Sequence, residues 1–191
     1  MNLIRKMILN RFQYALLVMQ LLWFVPATNG QTIQFSIYVD SNLDATTEQH
    51  LDLGMVIAGS GLNETLLGDA GMGVFSITGN KELDVIVTMT ADDSLKHTGA
   101  STDGIPFTVE FAYANLGENN VDHAIVATSG SARFQIQRRE YGPPGGPPTP
   151  PSANYTPPTA TAYIYVYGSM NVGYIDPGSY TGNVNLSVVY D

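Results

Sequence analysis

Residues 32–39 read TIQFSIYV, an alternation that puts Ile33, Phe35, Ile37 and Val39 on one face of an extended chain. Because successive side chains of a β-strand point to opposite faces, a period of two predicts a strand with one apolar side. Similar short runs recur as far as Tyr190, separated by Gly, Asn, Asp and Ser. No long run of helical period follows residue 31, and the best helical candidate, 63–67, is a single turn.

Eight or nine short strands are therefore expected, with turn residues between them. Many short strands at this spacing predict a β-sandwich or barrel, and the first and last strands favour a sandwich because both have the pattern of edge strands. The runs from which these strands are drawn lie at 33–39, 51–55, 74–78, 85–89, 107–113, 125–127, 132–137, 163–167, 172–175 and 184–190.

The first thirty residues have a different character. Arg5, Lys6 and Arg11 are basic, no acidic residue occurs before Gln31, and an apolar run (YALLVMQLLWFV) fills 14–25. Pro26 ends that run, and small residues follow up to Gly30. This order predicts a signal peptide over 1–30, an exported β-sandwich domain over 31–191, and no membrane span after cleavage.

Charge and cysteine content exclude several classes of function. Three of the eight basic residues lie in the leader, so residues 31–191 carry five basic against 17 acidic residues, a formal charge of −12. Nucleic acid is not an expected partner, because its phosphates need cationic contacts. The chain has no cysteine, so the apolar core must hold the fold without disulfides.

Eight of the eleven prolines lie within 141–158 (YGPPGGPPTPPSANYTPP). Proline cannot donate a ladder hydrogen bond and favours polyproline II, so this segment cannot be an interior strand. Since strand-like runs flank it, the segment is expected to be a long surface loop within one domain.

Chemistry-bearing patterns are sparse. His50, His97 and His123 have no metal-ligand spacing, and no nucleophile elbow occurs. We therefore expect no catalytic, cofactor-binding or metal site. Tyr163 and its alternate neighbours 165 and 167 lie on one face of a predicted strand, which is typical of a half-buried sheet face and also compatible with an exposed aromatic platform.

Four stretches, in this order, resemble one group of proteins: 51–56 (LDLGMV), 73–79 (GVFSITG), 83–90 and 177–190. The group is a family of exported bacterial proteins of unknown function that is similar to spore coat protein U. Through that relative the chain resembles the immunoglobulin-like subunits of chaperone–usher pili. The resemblance implies an immunoglobulin-like antiparallel β-sandwich, and a periplasmic chaperone and an outer-membrane usher as partners. The chain departs from many such pilins in lacking cysteine and in carrying the proline-rich segment.

The C-terminus carries the most specific part of the resemblance. Pilus subunits typically end in an alternating apolar strand with a penultimate aromatic residue and a glycine fourteenth from the end. Here Tyr190 is penultimate, Gly178 is fourteenth from the end, and Val184, Leu186 and Val188 alternate. The resemblance implies that this strand accepts a neighbouring subunit's N-terminal strand by β-augmentation.

The alternating row at 33–39 has the spacing that such a donor strand needs. The same row is equally well explained as the domain's own first strand, and the sequence leaves both interpretations open. The sequence thus predicts a non-catalytic, self-associating structural subunit of a cell-surface or extracellular fibre or coat. The alternative is a secreted adhesin or glycan-binding module that uses the tyrosine platform.

Overall fold

A computed structural model describes residues 32–39, 43–138 and 158–191, and within 32–39 it describes the side chains of Ile33 and Ile37. The predicted signal peptide and all of the proline-rich segment except Pro158 lie outside these residues. The described chain is all-β, and its one helical element is a 3₁₀ turn at Val121–His123. Its eleven strands are β1 Thr32–Val39, β2 Asp44–Gln49, β3 Gly61–Thr65, β4 Gly73–Asn80, β5 Asp84–Ala91, β6 Ser94–His97, β7 Gly104–Ala114, β8 Ile125–Val126, β9 Ser131–Gln135, β10 Thr159–Val172 and β11 Tyr180–Tyr190.

The strands form two sheets. In the first sheet, β11 lies between β1 on one side and β5 followed by β6 on the other, and β9 pairs with the far side of β5. In the second sheet, β2, β4, β10, β7 and β8 follow one another, with β3 beside the end of β10. The long strand β7 joins the sheets, because its first residues pair with β6 and the rest pair with β10.

One apolar core lies between the two sheets. Buried residues of the first sheet, such as Val87 and Leu186, belong to the same cluster as Phe75, Phe111 and Ile164 of the second. Burial of side chains of this size stabilises a fold by roughly 1.5–3 kcal/mol each. The predicted fold class, an antiparallel β-sandwich, is confirmed, with more strands than predicted.

Several details of the sequence prediction are wrong. The last strand is not an edge: β11 has neighbours on both sides, and one of them is β1. Residues 51–55 form no strand, although Leu51 and Leu53 are buried. Strand β3 occupies most of the helical candidate 63–67, and the run at 172–175 contributes only its first residue to β10.

Candidate assembly site

The two segments predicted for assembly lie side by side. Strand β1 pairs with β11 in parallel over its whole length, with Thr32 opposite Thr181 and Val39 opposite Val188. All four apolar positions of β1 therefore stand opposite the inward-facing positions of β11. The opposed pairs are Ile33 with Gly182, Phe35 with Val184, Ile37 with Leu186 and Val39 with Val188.

The inward face of β11 supplies the apolar side of this site. Val184, Leu186 and Val188 are all at most 2% exposed, and each belongs to the core between the sheets. On β1, Ile33 is buried in that core and Ile37 is half-buried against it. The ladder thus places apolar residues of both predicted segments on the core side of the first sheet.

Gly182 shapes the position opposite Ile33. A Cβ there would lie 2.7 Å from Leu95 Cδ2 and 3.2 Å from Phe107 Cζ. Any side chain at this position would therefore displace core residues beneath the start of β11.

The other two predicted residues lie at opposite ends of β11, beyond the ladder with β1. Half-buried Tyr190 accepts a hydrogen bond from the Asn80 backbone N–H through its hydroxyl (2.9 Å), which ties the end of β11 to the end of β4. Gly178 precedes β11 and lies directly against the imidazole of His97. The structure therefore brings together only the central members of the predicted acceptor set with β1.

A cluster that the sequence analysis missed supports the loop before β11. His97 accepts a hydrogen bond from the Gly99 N–H at Nδ1 (2.9 Å) and packs edge-on against Tyr180, with ring centroids 5.0 Å apart. The Tyr180 hydroxyl donates to the Asp176 carbonyl (2.7 Å), and the Asp103 carboxylate accepts from the Asp176 N–H (2.9 Å). Burial, and then the carboxylates of Asp103 and Asp176, raise the pKa of Tyr180. Only the tertiary fold brings these residues together, so no local signal marks them.

The opposite end of β11 carries an ion-pair network. Arg133 on β9 pairs with the Asp84 carboxylate (3.1 Å) and with the side chain of Asp191. The Asp191 N–H also donates to the Asp84 carbonyl (3.0 Å). Because Arg133 is largely exposed, these pairs hold the C-terminus in place more than they add stability.

The proposed tyrosine platform is largely covered. Tyr165 is fully buried and Tyr167 is 8% exposed, in a second apolar cluster against which Leu67 and Val121 pack. The Tyr165 hydroxyl donates to Asn119 Oδ1 (2.9 Å), and burial raises its pKa to about 12. Burial, and then the Glu110 carboxylate, raise the pKa of Tyr167. Tyr165 and Tyr167 therefore agree with the interpretation of this strand as a buried or half-buried sheet face, and they do not form an exposed aromatic platform.

Within the described ranges, no three His, Cys, Asp or Glu side chains gather as a metal-binding group. The same described residues contain no helix long and apolar enough to cross a membrane.

No family model and no curated protein matches the sequence. Eight chains of known structure match. One of them is the crystal structure of CfaE, the adhesive subunit of CFA/I fimbria of enterotoxigenic Escherichia coli, with a TM-score of 0.35 and 8% sequence identity. The match covers 86% of this chain and 49% of that chain, so this protein corresponds to about half of the fimbrial subunit's length. The fold assignment rests on this chain's own strands and core.

Proposed function

We propose that this protein is an exported, non-catalytic structural subunit of a cell-surface or extracellular fibre or coat, whose copies associate by exchanging β1. In the assembled form, β1 of one copy lies beside β11 of the next. The supporting observation is the attachment of β1, which pairs with no described strand other than β11.

The connection of β1 supports the proposal. Residues 40–43 separate β1 in the first sheet from β2 in the second, and short connecting segments favour domain swapping. Burial of Ile33 contributes roughly 1.5–3 kcal/mol, and Ile37 and the ladder with β11 add to the attachment of β1. Release of β1 leaves a free edge on β11, which another copy's β1 covers.

The ladder also supplies specificity. Main-chain hydrogen bonds along β11 accept any extended strand, whereas apolar residues two positions apart reject a shift by one residue, which would turn them away from the core. The ladder places Ile33 opposite Gly182 and Ile37 opposite Leu186.

Export is proposed from the predicted signal peptide, and the assembly partners are proposed from the resemblance to chaperone–usher pilus subunits. The leader directs the chain out of the cytoplasm, and the edge of β11 needs protection in transit whenever β1 is released from it. A periplasmic chaperone and an outer-membrane usher fill those roles in the proposal.

The proposal is tested with a variant that lacks residues 31–39 and with a synthetic peptide of residues 31–40. We expect the shortened protein to retain β-type circular dichroism, to stay monomeric in size-exclusion chromatography, and to bind the peptide. A control peptide with Ile33→Asp and Ile37→Asp should not bind, because charges then face the apolar core. A shortened protein that is unfolded, or that still assembles, would contradict the proposal.

A further inference from the structure

The outer face of the second sheet is covered over only part of its length. Apolar side chains cover Tyr165 and Tyr167 of β10, but this apolar cluster does not include Ser169, further along β10, or its partner Thr108 on β7. These two residues are paired in the ladder, and their hydroxyls lie 3.0 Å apart in a hydrogen bond. Beyond them the sheet face is open.

A groove of about 310 Å³ lies at this open end. The two bonded hydroxyls line it, together with one apolar side chain from β3 and a proline from β7, Leu62 and Pro106. Leu62 is 64% exposed, so its side chain offers apolar surface beside the polar groups. The volume is at the small end of the range for ligand sites, about 300–1,000 Å³, which suits one or two sugar rings.

Two further polar side chains line the groove without a partner among the residues that the structure describes. They are the Asp93 carboxylate and the Asn171 carboxamide. The backbones of both are held in place: the Asp93 carbonyl accepts from the Phe107 N–H (3.4 Å), and Asn171 is paired with Leu62 in the β3–β10 ladder. Both side chains are exposed, so the groove presents an acceptor and an amide group that a ligand can reach.

We propose that this groove binds a neutral saccharide. The Asp93 carboxylate accepts hydrogen bonds from sugar hydroxyls, and the Asn171 carboxamide both donates and accepts. The C–H face of the sugar ring packs on Leu62 and Pro106. This site is separate from the β1–β11 ladder and does not depend on the proposed mode of assembly.

The charge of the groove selects against other ligands. No Lys, Arg or His lines it, and its one acidic side chain is that of Asp93, so sialylated and other anionic glycans lack a cationic partner and are disfavoured. A wholly apolar ligand would leave the carboxylate desolvated and unpaired, which is costly. A lysine side chain is the main competing ligand, because it also pairs with a carboxylate.

The test is saturation-transfer NMR on the full mature chain, with the methyl glycosides of glucose, galactose, mannose and N-acetylglucosamine, each at about 10 mM. We expect transfer to at least one glycoside, with amide shifts at Thr108, Ser169 and Asn171. Asp93→Asn and Asn171→Ala should each weaken binding at least tenfold. Asp122→Asn, which changes an exposed aspartate outside the groove, should leave binding unchanged.

Salt separates the two ligand classes. Binding of a neutral sugar should be the same at 0.05 and 0.5 M NaCl, whereas binding of a lysine side chain is screened by salt. The proposal is overturned by absence of transfer to every glycoside, by binding that Asp93→Asn leaves intact, or by salt-sensitive binding of N-acetyl-lysine methylamide in place of the sugars. Circular dichroism of each variant confirms that any loss is not unfolding.

Discussion

Gly178 lies where the loop before β11 passes under the ring of His97. A Cβ at this position would overlap His97 Nε2, so the loop and the ring approach this closely only because the residue is glycine. In the sequence, Gly178 stands out by its distance from the C-terminus, as part of the resemblance to pilus subunits. The structure gives it a local physical reason that does not depend on the resemblance.

Gly178→Ala should destabilise the fold, because His97 must move away from Gly99 and Tyr180. Overpacking of this kind costs roughly 1–3 kcal/mol, and each kcal/mol lowers the Tm of a domain of this size by about 2–4 °C. Gly173→Ala is the matched control, since a Cβ there meets nothing within 4 Å. Calorimetry decides the matter, and equal Tm values for the two variants would show that the contact with His97 is unimportant.

Tyr165 predicts a pH dependence of stability. Its folded pKa is about 12 against an ordinary value of 10.0, so between these values the unfolded chain releases a proton that the folded chain keeps. The free energy of unfolding should therefore fall as pH rises from 10 to about 12, with no contribution from this residue below pH 10.

Denaturant unfolding at pH 9, 10 and 11 measures this slope. Tyr165→Phe should make the decline shallower, although loss of the bond to Asn119 lowers the starting stability by about 1 kcal/mol. Tyr174→Phe, at a tyrosine that is 96% exposed, should keep the parent slope. Identical slopes in both variants would refute the assignment to Tyr165.

At the scale of elements, the sequence predicts strands well where apolar alternation and burial coincide. The runs at 33–39, 85–89 and 184–190 all lie within strands. Strand β2 was missed because its sequence, DATTEQ, is mostly exposed at the sheet edge, so burial imposes no apolar pattern. Its partner β4 supplies the hydrogen bonds that make it a strand, and that pairing is not local.

The opposite error occurs at 51–55. Leu51 and Leu53 alternate and are buried, yet the segment forms no strand, although the Asp52 N–H donates to the Gly71 carbonyl. Apolar alternation indicates which side chains face the core. A strand also needs ladder hydrogen bonds to a neighbouring strand, and alternation does not predict those. In the same way, the order of the strands cannot be read from their sequences, so the position of β1 beside β11 needed the structure.

The proline-rich segment should be dispensable for the fold. Both flanks are anchored: the Arg138 N–H donates to the Asn115 carbonyl (2.7 Å), and the Pro158 carbonyl accepts from the Lys81 N–H (3.0 Å). Deletion of residues 143–151 should lower the Tm by less than about 10 °C, a change of several kcal/mol for a domain of this size. A larger fall, measured by thermal denaturation, would mean that the segment packs against the domain.

At the scale of the whole molecule, a cysteine-free domain depends on one core shared by two sheets. Strand β1 is joined to the rest of the described domain through a single ladder, as is β9, which also contributes to the core. In the structure, β1 of the chain already fills the position beside its own β11. In exchange, β1 of another copy takes that position, so each interface repeats the contacts seen within the single chain.

Cross-linking between copies tests this exchange most directly. Ser36 and Asn185 are opposite each other in the ladder, at a strand spacing of about 4.8 Å that a disulfide can bridge. Copies with Ser36→Cys are mixed with copies carrying Asn185→Cys, unfolded together, and refolded and oxidised under assembly conditions. The chain's lack of native cysteine leaves one thiol per copy.

Exchange predicts a covalent dimer containing one copy of each variant. Gln34→Cys mixed with Asn185→Cys, two residues out of register, should give little of it, because Gln34 lies opposite Asn183. A contrary result would be a disulfide that forms readily within a single chain carrying both Ser36→Cys and Asn185→Cys, while the mixed copies give no dimer. That outcome would show that β1 remains in its own domain.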